Sequence, residues 1–392
     1  MAAMDESYQL LAVQFIRRQV SRLARELDGC RQAKDAEFVH QARVASRRLR
    51  SGMRMFAECV PAKKAKRWRK EIRRLTKSLG PARDADVQIE FVREFLAGVT
   101  ERKCRAGIRR LLVRLRQHRA RLQPRIVKAV DRMEKSGVLK AMRASTKATQ
   151  SLLEGREVTI QSPFVFLQAE RLILRKLEDV LAVQDCLANP ADAARHHEMR
   201  IATKRLRYTM EICRPIYEGR LDDLIDIAKR IQTYLGDIHD CDVWMESLPA
   251  FMEEERARTQ EYYGSARPFQ RLALGLEYLR ENRRQQREAT FVELAEYWKH
   301  LADEGVWNRL AGTVVAAVQR SGQPEVAGQE PPPDAQAPAE APAESEAIPA
   351  RDGIAAREPE KGGTSPPAGD EEAGPSGQAG EGAPASSEQT AG

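Results

Sequence analysis

The feature that most constrains this chain is a phrase it contains twice. The first copy reads His40-Gln41-Ala42-Arg43-Val44-Ala45-Ser46-Arg47-Arg48-Leu49-Arg50, and the second reads His197-Glu198-Met199-Arg200-Ile201-Ala202-Thr203-Lys204-Arg205-Leu206-Arg207. Six of the eleven positions are identical, and Val/Ile, Ser/Thr and Arg/Lys are close exchanges. A second phrase, Leu79-Gly80-Pro81-Ala82-Arg83-Asp84-Ala85-Asp86-Val87, returns as Leu235-Gly236-Asp237-Ile238-His239-Asp240-Cys241-Asp242-Val243 with five of nine identities. The offsets, 157 and 156 residues, differ by a single-residue insertion or deletion. The chain therefore repeats a unit of several elements, and any fold assigned to it must accommodate two copies.

The repeated phrase is a helix by its periodicity. With residues placed 100° apart, Ala42, Ala45, Leu49, Met53 and Phe56 fall on one narrow face, while His40, Arg43, Arg47, Arg50 and Arg54 form a ridge about 140° away. An apolar period of the same kind predicts a helix over 7–28, and Pro61 should end the motif helix. A third helix over 62–79 carries Lys66, Lys70, Arg73 and Lys77 on one face. Gly80-Pro81 should stop it, with Asp84 as N-cap of a fourth helix. Residues 101–153 read as helix with a break at Ser136-Gly137. Ser162-Pro163 then restarts the pattern, as an N-cap followed by an N1 proline. The second copy repeats it over 164–187, 195–215, 221–235, 241–258 and 268–303. No alternating strand pattern is present, so the expected fold is all-α, with repeat one over 5–155 and repeat two over 156–308. Beyond Gly322 the composition turns to Pro, Ala, Glu, Gly and Ser, which predicts a disordered tail over 321–392.

Charge divides the chain in the same place. Ser321–Gly392 has 14 acidic and 3 basic residues, a net of −11, which leaves +19 on residues 1–320. A folded region that basic implies an anionic partner. The tail could shield the basic region or simply aid solubility. Cysteines 30, 59, 104, 186, 213 and 241 are scattered, which suits reduced thiols in a cytoplasmic protein. No apolar run is long enough to span a bilayer, and Met1–Ser7 shows no signal-peptide pattern.

On the ridges, few carboxylates sit one turn away to neutralise the cations. His197, Arg200, Lys204 and Arg207 repeat the ridge of the first copy. Cations at i, i+3, i+7 and i+10 recur about every 5 Å, a pitch suited to a linear anion of regularly spaced charge. Arginine forks match phosphate oxygens, and lysine adds a point charge. The residues one and two turns from His40 and His197 are cations, which argues against metal ligation. His239-Asp240 has the form of a metal phosphohydrolase pair, but the first copy has Arg83-Asp84 there, so Asp240 reads better as a helix cap. His196 has no counterpart at Val39 and is given no role. No catalytic constellation or cofactor loop is evident.

Taken together, His40-x-x-Arg43-x-x-x-Arg47-Arg48-Leu49-Arg50 and Leu79-Gly80-x-x-Arg83-Asp84, each duplicated, closely resemble the CHAD domain, the conserved histidine α-helical domain, over residues 5–305. The resemblance implies two pseudo-symmetric four-helix bundles whose basic helices line a central cleft. It implies binding of inorganic polyphosphate, in some members at polyphosphate granules. No strands or acidic motif of the often-associated CYTH domain occur, so the expectation is a stand-alone member. Carried over by position, the polyphosphate-binding residues would be His40, Arg43, Arg47, Arg50, Arg54, Lys66, Arg73, Lys77 and Arg83, with His197, Arg200, Lys204, Arg207, Lys229 and His239. The copies are unequal: Arg54 aligns with Glu211, Lys66 with Asp222, Arg67 with Asp223, Lys70 with Asp226 and Lys77 with Thr233. The first copy is therefore expected to supply more of the binding energy.

Two other readings remain at this point. A single-strand nucleic-acid binder would interleave aromatics with its cations, yet only Trp68 and Tyr208 lie near the ridges. An accessory to a phosphoanhydride-processing enzyme would need clustered carboxylates for magnesium, and only Asp222, Asp223 and Asp226 approach that. No cofactor or membrane contact is expected, and the oligomeric state is open.

Overall fold

Apolar periodicity resolves into ten helices, with no strand among the described residues. The structure is a computed structural model and describes residues 4–322. The helices are α1 (Glu6–Gln32), α2 (Ala36–Met55), α3 (Ala62–Gly98), α4 (Arg102–Lys135), α5 (Val138–Leu153), α6 (Pro163–Leu181), α7 (Ala193–Cys213), α8 (Asp222–Tyr263), α9 (Gln270–Asp303) and α10 (Val306–Ser321). The expected tail over 321–392 begins inside α10, which ends at Ser321, and the rest of it, from 323 on, lies outside the described residues.

The duplication is visible in the helix ends. The side chains of Asp5 and Ser162 cap α1 and α6, and those of Asp35 and Asp192 cap α2 and α7. Each accepts a hydrogen bond from a backbone N–H of the first turn, which a helix start cannot satisfy internally. Further along, α4 and α9 are each 34 residues long, and α5 and α10 are each 16. Gly137 and Gly305 precede α5 and α10 in the same left-handed conformation. Helix α10 is thus the mate of α5, although the sequence reading placed no helix after 303.

The largest departure from expectation is at Gly80-Pro81. Helix α3 does not stop there but runs on to Gly98, and α8 runs unbroken through Gly236 to Tyr263. A residue before proline is usually pushed out of helical geometry because its Cβ meets the proline ring. Gly80 has no Cβ, and Pro81 lies on the exposed side of the helix, so the lost amide costs little. Asp84 and Asp240 consequently sit inside long helices and cap nothing.

The continuation has a purpose in packing, because the long helices serve two cores. Tyr8, Leu11, Ala12 and Phe56 aside, one core belongs to the second half, α6–α10, and includes Leu206, Ile231 and Leu294. Another lies within α1–α5, around Leu49, Ile72 and Ile126. A third is shared by the ends of α3 and α8 and the starts of α4 and α9, where Val92, Ile108, Leu248 and Leu276 meet. The predicted apolar face of the motif helix, Ala42, Ala45, Leu49, Met53 and Phe56, is entirely buried. Leu49 is 0% exposed, and truncating such a leucine to alanine costs about 2–5 kcal/mol.

Within the shared core α4 and α9 touch backbone to backbone. A Cβ on Gly107 would stand 2.0 Å from the Leu272 carbonyl oxygen, and one on Gly275 would stand 1.9 Å from that of Cys104. Only hydrogen fits at either position. Buried Glu255 of α8 adds a polar clamp, accepting from Arg114 of α4 at 2.5 Å and Arg258 at 2.9 Å. Fully buried His196 is structural: Nε2 lies 3.0 Å from the Cys186 carbonyl and the ring packs on Phe291. All six cysteines are free. Burial pushes the Cys30, Cys59 and Cys213 thiols up to about 12.

Candidate anion-binding site

Each basic ridge lies on the side of its helix opposite the core face, and the two ridges meet. Arg47 of α2 donates a hydrogen bond to the Tyr208 hydroxyl of α7. The same ring carries Arg207 over its face, 5.0 Å from the centroid. One helix turn away, Arg48 of α2 reaches Glu211 of α7 at 2.9 Å. These contacts hold α2 against α7 so that cations of both copies share one space.

Electrostatics show how crowded that space is. Desolvation is the largest influence on Lys204, followed by the guanidinium groups of Arg47, Arg200, Arg205 and Arg43. Together they push its ammonium down to about 8. Two of those arginines belong to the first copy. Burial, then Arg83, lowers His40. Burial, then Arg200 and His197, lowers His239, whose ring centroid lies 4.7 Å from that of His197. Burial and neighbouring cations both disfavour the charged forms here, a field that a bound anion would relieve.

The second repeated phrase shapes the same site from α3 and α8. The Arg43 guanidinium lies against Gly80, where an added Cβ would stand 2.7 Å from Nη1. It continues to Asp84 at 3.4 Å. The second aspartate of each phrase faces the other way, into a partly buried ion pair. Asp86 is held by Arg119 of α4 at 2.6 Å, and Asp242 by Arg287 of α9 at 2.5 Å. The repeated Asp-x-Asp thus splits its work. Asp86 and Asp242 fasten the helices that carry Arg83 and His239, while Asp84 and Asp240 remain at the cleft. Asp240 is raised by desolvation, and the carboxylates of Asp237 and Asp84 add to the rise.

The expected site residues separate into four groups. His40, Arg43, Arg47 and Arg83 converge with His197, Arg200, Lys204 and His239. Arg50, Arg54 and Arg73 form an extension along α2 and α3, where desolvation and the other two cations lower Arg50. Arg207 and Lys229 lie beside carboxylates: Arg207 is 3.7 Å from Glu211, and Lys229 is 2.6 Å from Asp226. Lys66 and Lys77 are exposed on α3 and make no ion pair or hydrogen bond among the described residues. The expectation of unpaired cations therefore fails at Arg43, Arg207 and Lys229, because their acids come from one turn away or from another helix. Asp222 and Asp226 are engaged with Arg214 and Lys229. No metal-ligating cluster of three His, Cys, Asp or Glu is present among the described residues.

Arg48, Tyr208 and Glu211 were not among the expected site residues. Two grooves flank the α2–α7 contact; Tyr208 lines both, and Arg48 and Glu211 line the larger. The larger, about 290 Å³, is walled by α1, α2, α7 and α8 and includes Arg18, Arg48, Glu211 and Lys229. The other, about 270 Å³, is walled by α2, α6 and α7 and includes Arg54, Lys176 and Arg205. Ser51 and Tyr208, which occupy equivalent positions in the two copies, line both.

A histidine-headed basic helix, present twice and facing itself across a cleft, has a family counterpart. The model of the CHAD-domain family matches residues 14–249. This chain belongs to the CHAD-domain family. CHAD domains are generally binding modules, and the family is known for binding polyphosphate. The chain is 29% identical over 228 residues to the uncharacterized proteins MT2285 and Rv2226 of two Mycobacterium tuberculosis strains. The matched region covers 54% of this chain and 40% of each relative, so the chain spans under half of their length. The CHAD domain from the plant Ricinus communis is similar in structure, with a TM-score of 0.49 at 20% identity, covering 81% of this chain and 94% of that one. PptA from Streptomyces chartreusis follows with a TM-score of 0.48 at 16% identity, covering 74% and 99%. No helix among the described residues is long and apolar enough to cross a membrane.

Proposed function

We propose that this CHAD-domain protein binds inorganic polyphosphate in the cleft between α2 and α7. One observation carries the reading: Lys204 of the second copy is half-buried and lies close enough to Arg47 and Arg43 of the first that, added to burial, their charge lowers its ammonium to about 8. Cations of both halves are thereby held together against their mutual repulsion. A ligand with a negative charge at every repeat unit would relieve that repulsion at several points at once. Arg43, Arg47, Arg83, Arg200 and Lys204 would take phosphate oxygens, and His40, His197 and His239 would donate ring N–H groups to them. Arg50, Arg54 and Arg73 would carry the polymer onward, with Arg207, Lys229, Lys66 and Lys77 as peripheral contacts.

Nucleic acid is disfavoured by what surrounds the cations. Tyr208, the aromatic ring between the ridges, is buried and already engaged by Arg47 at its hydroxyl and Arg207 over its ring, so it presents no exposed face to a base. Binding should show the steep salt dependence of phosphate contacts. The deciding experiment is competition of labelled long-chain polyphosphate against DNA, RNA and ATP at matched charge and salt. Preference for polyphosphate is expected, and displacement by DNA at equal charge would overturn the reading. A place at polyphosphate granules would follow from such binding.

A further inference from the structure

The two grooves beside the α2–α7 contact are equivalent under the internal repeat and both are lined by cations, Arg18 and Arg22 included in the larger, but they differ at one equivalent pair where α2 meets α7. Equivalent positions lie 157 residues apart, so Arg48 corresponds to Arg205 and Arg54 to Glu211. In the larger groove the pair is Arg48 and Glu211, joined at 2.9 Å, with Arg207 a further 3.7 Å from the same carboxylate. In the other groove the equivalent pair is Arg205 and Arg54, two cations. Neither makes a salt bridge among the described residues; Lys176, on the same wall, is paired with Asp179 at 2.5 Å. One groove therefore contains its own anion, and its mate has an arginine where that anion would be.

We propose that polyphosphate leaves the central cleft through the groove between Arg54 and Arg205, and that Glu211 closes the equivalent exit on the other side. The inference deepens the polyphosphate reading and rests on it. The internal carboxylate shows what a cation at position 48 or 205 accepts when one is supplied, namely an anion lying between α2 and α7. Where the chain supplies none, a phosphate of the ligand takes the place. Continuity favours this path, because Arg47, Arg50 and Arg54 succeed one another along α2. Seven residues of helix carry the ridge about 10 Å from the central cluster into the groove. On the other side, a polymer would have to displace Glu211 from Arg48 and bring its phosphates beside a carboxylate only 17% exposed. Like-charge repulsion in so dry a position is costly. The protein thus holds the polymer in one direction, although its fold offers two.

The test uses the full chain, with affinity for long-chain polyphosphate and for tripolyphosphate measured at low salt. Arg54→Glu recreates in the second groove the arrangement found in the first. It should lower long-chain affinity about tenfold, the scale of a lost charge-assisted contact. Glu211→Gln should raise long-chain affinity about threefold or more and increase its salt dependence, since a second run of phosphate contacts opens. Because Arg48 loses its partner in that variant, thermal unfolding confirms that it is folded, and Arg205→Glu provides an independent arm with the same expected loss as Arg54→Glu. If Arg54→Glu and Arg205→Glu keep long-chain affinity within about twofold while Arg43→Glu with Arg47→Glu abolishes it, the exit path is wrong and the cleft reading stands. If the Arg43→Glu, Arg47→Glu protein still binds, the cleft reading itself fails. Unchanged long-chain affinity in Glu211→Gln would remove the role given to Glu211.

Discussion

The Arg43 guanidinium rests on the backbone of Gly80, in a space that a single methyl group would take away. The contact joins the two repeated phrases of the first copy, one on α2 and the other on α3. In the second copy the space beside Gly236 is open, with nothing within 4 Å of an added Cβ. Gly80 and Gly236 are identical in sequence and different in what they admit.

Gly80→Ala should therefore separate binding from stability. Alanine is favoured over glycine inside a helix by about 0.5–1 kcal/mol, and the obstructing atom is the mobile end of an arginine, so the fold should tolerate the change. Arg43 must move, and polyphosphate affinity should drop several-fold. Gly236→Ala should give the same stability gain with affinity unchanged. Calorimetric unfolding beside a binding titration of both variants measures the difference.

Lys204 gives a pH signature in stability. Its folded pKa of about 8 lies below the ordinary 10.5, so between those values the unfolded chain binds the extra proton. Stability from this residue is lost as pH falls through about 8 and is recovered as pH climbs toward 10.5. Lys204→Met should raise the Tm at pH 7, with an advantage over the wild type that shrinks by pH 10. Its polyphosphate affinity should fall, which is the usual opposition between site and stability. An equal Tm difference at both pH values would refute the assignment.

Histidine titration should appear in binding. His40 is depressed by burial and by Arg83, Arg47 and Arg43 against the opposing pull of Glu37. His239 is depressed by burial, Arg200, His197 and Lys204 against Asp242. A bound polyanion reverses the sign of that field and draws protons in. Affinity should strengthen as pH falls from about 8 to 6. Titration calorimetry in buffers of different ionisation enthalpy should register proton uptake, and less of it in His40→Gln and His239→Gln.

The Arg119–Asp86 pair should matter to the fold more than its distance from the cleft suggests. Asp86 is 9% exposed and Arg119 is 14% exposed. Arg119→Met leaves the carboxylate without its partner and should cost about 3 kcal/mol, the scale for breaking a buried pair. Arg287→Met, the mate in the second copy, should behave alike. Denaturant midpoints of the two variants give the comparison.

Unequal copies should give unequal losses. Charge reversal at Arg43 and Arg47 should weaken polyphosphate binding more than reversal at Arg200 and Lys204, because the second copy has Glu211, Asp222 and Asp226 where the first has cations. Equal losses in a paired titration would contradict this.

Much of this architecture is legible in the residues alone, and what escaped has physical causes. Apolar spacing gave the buried face of α2 residue by residue, and the expected cap Ser162 marks a real helix start. Gly80-Pro81 misled because its local signals favour a stop, whereas the helix is sustained by Val92 and its neighbours in a core built from both halves. Helix α10 was hidden by a change of offset: α4 and α9 lie 168 residues apart, not 157, owing to the longer α8 and the segment after it. Arg48, Tyr208 and Glu211 were read as positions on separate helices. Their roles arise only where α2 and α7 touch, and no pattern within either helix encodes that.

The mismatch between Arg54 and Glu211 has a consequence for how such a protein can be built. Two separate copies of one half would associate as a twofold dimer, and every residue would then occur on both sides of the axis. An acid at position 211 would close both exits, and an arginine would open both. Joining the halves in one polypeptide lifts that restriction, so each side can be altered alone. The linked duplication makes available a polarity that a symmetric assembly of identical subunits cannot have.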